Sequence, residues 1–161
     1  MRKIIFIILI TYLAFLSEFI LFNVFGFWLK PDLLLLAVVF VNLTWGVRYS
    51  LVTAIAAGLW KDSLTINAFG LNIFAFLACA YLTTFIKRYL FHMGYGSLRI
   101  FIVIMAILLY DFVLFLLDVL FVDISMNSFL THVLIPEVIL TAIVAEPMFE
   151  ILRKCVLRLS V

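Results

Sequence analysis

The stretch Leu33-Leu34-Leu35-Leu36-Ala37-Val38-Val39-Phe40-Val41 decides the fold. A strand with one face in a core or in lipid alternates apolar and polar side chains, as do the strands of a membrane barrel. This run has no polar member, so it reads as a helix that meets no water on any side. The whole chain agrees with it. Of 161 residues, 68% are hydrophobic and 12% charged, where a soluble domain has about a quarter of its residues charged. A chain of this size cannot hide so much apolar surface from water, whereas a bilayer accepts it. With 18 Phe, 6 Gly and 3 Pro, no segment has the composition of a flexible linker or a disordered tail.

Working outward, the apolar segments fall at about 4–25, 31–46, 49–60, 70–86, 100–121 and 130–150. The first follows Arg2 and Lys3 like a signal peptide. Its apolar run continues through Phe19, Leu21, Phe22 and Phe25 with no small-residue cleavage pattern, so it is expected to be a retained span. The second and third segments are short for a hydrocarbon core of about 30 Å at about 1.5 Å per residue. Their brevity suggests shielding by other helices or a locally thin membrane.

Those two segments admit a second reading, one long helix over 33–60 with Arg48 in its middle. Charge separates the two. Six spans with a cytoplasmic N-terminus put Arg2, Lys3, Arg48, Lys87, Arg88, Arg99, Arg153, Lys154 and Arg158 inside, and only Lys30 and Lys61 outside. Five spans leave Arg2, Lys3 and Lys61 inside against seven basic residues outside, with Arg48 stranded in the bilayer. Basic residues remain on the cytoplasmic side. The expected architecture is therefore all-α: one transmembrane domain over 1–161, six helices, both ends in the cytoplasm. Trp28, Trp45 and Trp60 then fall at membrane boundaries, where tryptophan concentrates.

The arrangements that carry catalysis are missing from the sequence. His92 and His132 fall on opposite sides of the membrane, which argues against a shared metal site. There is no Gly-rich phosphate loop, no nucleophile elbow and no cysteine pair; Cys79 and Cys155 stand alone. No enzyme, cofactor, metal or nucleic-acid ligand is expected.

The acidic residues are more informative. Glu18, Asp32, Asp62, Asp118, Asp123 and Glu137 all fall on the outer half, and Asp111 lies near the middle of the fifth span. A carboxylate at mid-membrane costs about 2.5–3.5 kcal/mol on the mildest scale, so it should face other helices or water. Asp111 and Asp118, seven apart, share a helix face. Two readings stay open: a polar cavity opening outward, or groups that are protonated or hydrogen-bonded to neighbours and fix the packing of the helices.

One ordered set of motifs carries a resemblance. Lys30-Pro31-Asp32-Leu33-Leu34-Leu35-Leu36 opens the second span. Gly46-Val47-Arg48, Gly58-Leu59-Trp60-Lys61-Asp62-Ser63 and Phe69-Gly70-Leu71-Asn72 follow. This resembles the MreD family of bacterial rod shape-determining membrane proteins, in which a Pro-Asp-Leu-rich span precedes a Gly-x3-Asp and a Gly-Leu pair. Pro136 and Pro147 of the last span also look like that family. The Gly-Gly-rich link usual between the third and fourth spans is replaced here by Ser63-Leu64-Thr65-Ile66-Asn67-Ala68.

The resemblance implies a noncatalytic scaffold of the cell-elongation machinery in the bacterial inner membrane. Such a scaffold binds MreC and connects MreB filaments to the peptidoglycan synthases outside, and its fold is similar to the six-helix S-components of energy-coupling-factor vitamin transporters. Pro31, Asp32, Asp62 and Gly70 are expected to shape an outward-facing groove beside which a partner's transmembrane helix docks. Asp111 and Asp118 are further candidates for a partner-binding or structural role. The rival reading is transport by a vitamin-binding S-component. Those subunits carry an Ala-x3-Ala face on the first helix, and the first span here has only Ala14. A proton-coupled carrier built on Asp111 lacks the inverted repeats and broken helices common in such carriers.

Overall fold

The computed structural model describes residues 2–25, 31–64, 70–90, 97–121 and 135–159. Among them the chain is entirely helical. Helix α1 is Arg2–Phe25, α2 Leu33–Trp45, α3 Val47–Leu64, α4 Leu71–Leu90, α5 Ser97–Phe121 and α6 Ile135–Leu159. The expected fold class, six helices and no strand, holds for these residues. The long-helix alternative does not: the run breaks at Gly46, whose φ of 88° lies where only glycine is unstrained. Its N–H closes α2 on Asn42 O at 3.1 Å and its carbonyl opens α3 by accepting from Ser50 N at 3.2 Å. Arg48 thus sits, exposed, in the first turn of a helix.

Helix α2 is the axis of the molecule. Every residue from Leu33 to Asn42 is buried, and α2 touches all five other helices. A helix that is apolar all round must be enclosed, and here protein encloses it. Around it α1 packs on α3, α3 on α4, α4 on α5 and α5 on α6. This explains how 13 residues, about 20 Å of helix, can stand inside the bundle: the shielding expected from the brevity of this segment is supplied by its neighbours.

Ring and side-chain contacts fix the direction of each helix. Phe6, early in α1, meets Trp45 at the end of α2 (5.4 Å), while Tyr12 and Phe15 meet Trp60 late in α3 (5.6 and 5.4 Å). Phe40 late in α2 meets Phe149 late in α6 (5.7 Å). Phe76 early in α4 stacks on Tyr110 late in α5 (4.8 Å). Successive helices therefore run up and down in alternation, with the N-terminal ends of α2, α4 and α6 at the same end as the C-terminal ends of α1, α3 and α5.

Close packing comes from small residues. Ala54, Ala57 and Gly58 of α3 and Ala75, Cys79 and Ala80 of α4 are buried, and Gly58 lies against Ile73 of α4. The outward faces are large and apolar instead, including Ile5, Leu13 and Ile20 of α1, Phe74 and Phe85 of α4, and Ile143 and Ile151 of α6. Exposed apolar surface on this scale marks contact with lipid or protein. Among the described residues two helices carry an apolar stretch long enough by itself to cross a membrane, Ile4–Leu21 and Leu71–Tyr89; Leu33–Trp45 and Ile100–Leu116 are shorter.

Three helices run past the C-terminal ends of their apolar segments. The third, expected over 49–60, continues to Leu64, because Asp62 turns inward to serve the next helix. The fourth, expected over 70–86, continues to Leu90. The last, expected over 130–150, runs through Pro147 to Leu159. Phe149, Leu152 and Val156 still find core to pack against on that face.

Candidate functional site

At the end where α1, α3 and α5 finish and α2, α4 and α6 begin, polar side chains from six helices converge inside the bundle. Each is placed by a local rule of chain folding. Pro31 and Asp32 precede α2, and Asp32 is its N-cap: Oδ1 accepts Leu35 N–H at 2.9 Å, satisfying one of the donors a helix start leaves open. The N–H of Asp32 donates to Thr141 Oγ1 of α6 at 3.1 Å. Its other oxygen, Oδ2, takes the ammonium of Lys61 from α3.

Lys61 is the hub. Its Nζ also lies 4.0 Å from Glu18 Oε1 of α1. It stands 5.4 Å from the centre of the Phe76 ring and 4.8 Å from that of Tyr110. An ammonium held against aromatic faces and a carboxylate is stabilised by both when water is excluded. Tyr110 continues the network, donating its hydroxyl to Asn72 Oδ1 at 2.9 Å.

Asp62, the next residue after Lys61, faces the start of α4. Its Oδ2 accepts Gly70 N–H at 3.0 Å and Ile73 N–H at 3.4 Å; its Oδ1 accepts Asn72 N–H at 3.1 Å and Asn72 Nδ2 at 2.9 Å. A carboxylate lying across the open donors of a helix start also meets the positive end of the helix dipole. Gly70, with φ 105°, supplies the left-handed residue that turns the chain into that position. Asp62 and Gly70 are thus joined by a direct hydrogen bond.

The opposite end has a smaller polar tie. Asn42, buried in α2, donates through Nδ2 to Ala80 O (2.6 Å) and Thr84 Oγ1 (2.9 Å) of α4. Thr84 returns a bond to Asn42 Oδ1 at 3.1 Å. Lys87 Nζ donates to the carbonyls of Asn42 and Leu43 at 3.3 and 2.9 Å, closing the carbonyl end of α2 as a basic residue does. Asn42 was not singled out from the sequence. Its signal was there, as a lone amide in the apolar run from Leu33 to Leu43.

Of the six residues drawn from the sequence, Pro31, Asp32, Asp62 and Gly70 lie at the end where α2 and α4 begin. Asp32 and Asp62 are buried, with 1% and 5% of their surface exposed, and every carboxylate oxygen of the pair accepts a bond from within the chain. Their charges are spent on helix starts and on Lys61, so their influence on any partner passes through the placement of α2 and α4. Asp111 is buried on α5, with 3% exposed. Asp118 lies on the same helix, but its side chain is outside the described residues, as are the side chain of Glu137 and all of Asp123, His92 and His132. Among the described residues no group of three His, Cys, Asp or Glu could hold a metal ion.

Comparison with known proteins gives one match. The family model described as rod shape-determining protein MreD covers residues 1–158. No curated protein matches the chain, and no solved structure does. The expected likeness to energy-coupling-factor subunits therefore rests on the sequence resemblance alone.

Proposed function

Because the chain belongs to the family of rod shape-determining protein MreD, we propose that it is a noncatalytic scaffold of the cell-elongation machinery that crosses the inner membrane six times with both ends in the cytoplasm. It binds MreC through helix packing and short connections, and through MreC it links MreB filaments to peptidoglycan synthesis. The observation that carries this reading is the family match along nearly the whole chain. The geometry supports it in two ways. The polar cluster ties the helices into one body at a single end, and the outward faces of those helices are apolar. A protein built this way has side-chain packing and short connections with which to recognise a partner, and association of helices in lipid rests on close packing and interhelical hydrogen bonds.

The alternating helix directions agree with six crossings, and the cluster then lies toward the outer face. The groove beside which a partner's transmembrane helix docks is shaped by the starts of α2 and α4, which Asp32 and Asp62 hold. The test replaces the chromosomal copy with Asp32→Asn or Asp62→Asn and recovers the protein from membranes. Membrane insertion should persist, copurification of MreC should fall, and cells should round. Unchanged copurification in both variants would remove the docking reading. Depletion that produces vitamin auxotrophy with no loss of rod shape would favour transport instead.

A further inference from the structure

Asp111 has a task that the scaffold reading leaves unassigned. It is buried on α5, its Oδ2 has no hydrogen-bond partner among the described residues, and it lies within electrostatic reach of Asp32 and Lys61. Its neighbour Tyr110 places a ring directly against the Lys61 ammonium. The obvious counter-ion is already engaged. Lys61 contacts Asp32 and lies 4.0 Å from Glu18, so Asp111 would be a third carboxylate sharing one ammonium.

The other helices against α5 offer no further cation among their described side chains near this point. From α4 come Asn72, Phe76 and Cys79, and the Cys79 thiol donates to Ala106 O at 3.5 Å. From α2 comes Asp32, and from α6 Thr141, whose hydroxyl already accepts from Asp32 N. A buried carboxylate with no donor on one oxygen and no free counter-charge is far costlier than the same group carrying a proton.

We propose that Asp111 is a proton-binding site, holding a proton at neutral pH between α5 and the Glu18–Asp32–Lys61 cluster. The neutral carboxyl leaves Lys61 to Asp32 and Glu18. Loss of the proton adds a third claimant on Lys61, so occupancy of the site sets how firmly α1, α2 and α3 are held together. This inference stands apart from the choice of partner, since it concerns only the state of one buried group.

The experiment uses the full chain in lipid nanodiscs, with 13C in the side-chain carboxyl of its aspartates, read by NMR at neutral pH. A carboxyl resonance at the shift of the neutral acid is expected. It should be absent from Asp111→Asn and retained in Asp62→Asn. Asp111→Glu gives a second route if the amide disturbs folding, since it keeps a carboxyl while removing the label. Absence of any neutral aspartate in the wild-type spectrum overturns the proposal, as does a neutral resonance that survives in both Asp111 variants. An ionised Asp111 resonance that moves with added sodium overturns it too, assigning the site to a metal cation.

Discussion

Gly58 of α3 lies against the backbone of Ile73 in α4: a Cβ at Gly58 would stand 2.5 Å from Ile73 Cα and 2.8 Å from its N. Backbone cannot step aside as a side-chain tip can, so Gly58→Ala must part the two helices. The alanine recovers about 1 kcal/mol of helix propensity, while forced separation of a packed interface costs about 1–3 kcal/mol. The net effect is a loss. Thermal unfolding in detergent should show Gly58→Ala less stable than wild type, and an equal or higher midpoint would disprove the close approach.

Lys61 and Asp32 give a second test. Removing one partner of a buried ion pair leaves the other uncompensated, so Lys61→Met should destabilise by about 2 kcal/mol, discounted from the fully buried case because 13% of the lysine side chain is exposed. Adding Asp32→Asn should recover part of that loss, since the asparagine oxygen still caps α2. Asp32→Ala should do worse than Asp32→Asn by about 1 kcal/mol, the worth of the cap. If the double variant is no better than Lys61→Met alone, the coupling is absent.

Asp62 and Gly70 act on the start of α4. Asp62→Ala leaves the buried donor of Asn72 and the half-buried donors of Gly70 and Ile73 without their acceptor, which should cost about 2 kcal/mol. Gly70→Ala has room for its methyl group but forces an L-residue to φ 105°, a cost of about 1 kcal/mol. Hydrogen exchange should show the first turn of α4 opening in both variants, more in Asp62→Ala. Equal protection in the variants and the wild type would mean that the carboxylate does not hold this turn.

Topology can be read with the protein's own cysteines. Cys155 is exposed on α6 and Cys79 is buried. The proposed threading predicts that a membrane-impermeant maleimide should miss Cys155 in intact cells and label it once the membrane is opened. In a Cys155→Ser background, Ser63→Cys at the exposed end of α3 should be labelled in intact cells. Labelling of Cys155 from outside would reverse the threading.

Helix number and alternation were legible because each rests on local features: apolar runs, the Gly46 break and the placement of basic residues. Even the enclosure of α2 showed in its shortness. The roles of Lys61 and Asp62 were not legible, and both were read as members of an outer connection. The reason is physical. Helix α3 is lined by Ser50, Thr53, Ala54, Ala57 and Gly58, residues too small or polar to register as an apolar run, so its end could not be located from hydropathy. Lys61 meets a carboxylate 29 residues away and Asp32 a hydroxyl 109 residues away, and no local pattern encodes such meetings. The Gly-x3-Asp and Gly-Leu-Asn motifs could not convey that the aspartate of the first caps the start of the helix that the second begins.

The enclosure of α2 has a consequence for dividing the protein. A helix of 13 residues that leans on all five others keeps its surroundings only while every neighbour is present. Removing α1 or α6 would lay leucine and valine side chains of α2 open, and removing α6 would also strip the backbone N–H of Asp32 of the Thr141 hydroxyl that receives it. No shorter version assembled from consecutive helices should hold together, and halves expressed separately should recover the shape only by reuniting around the same central rod.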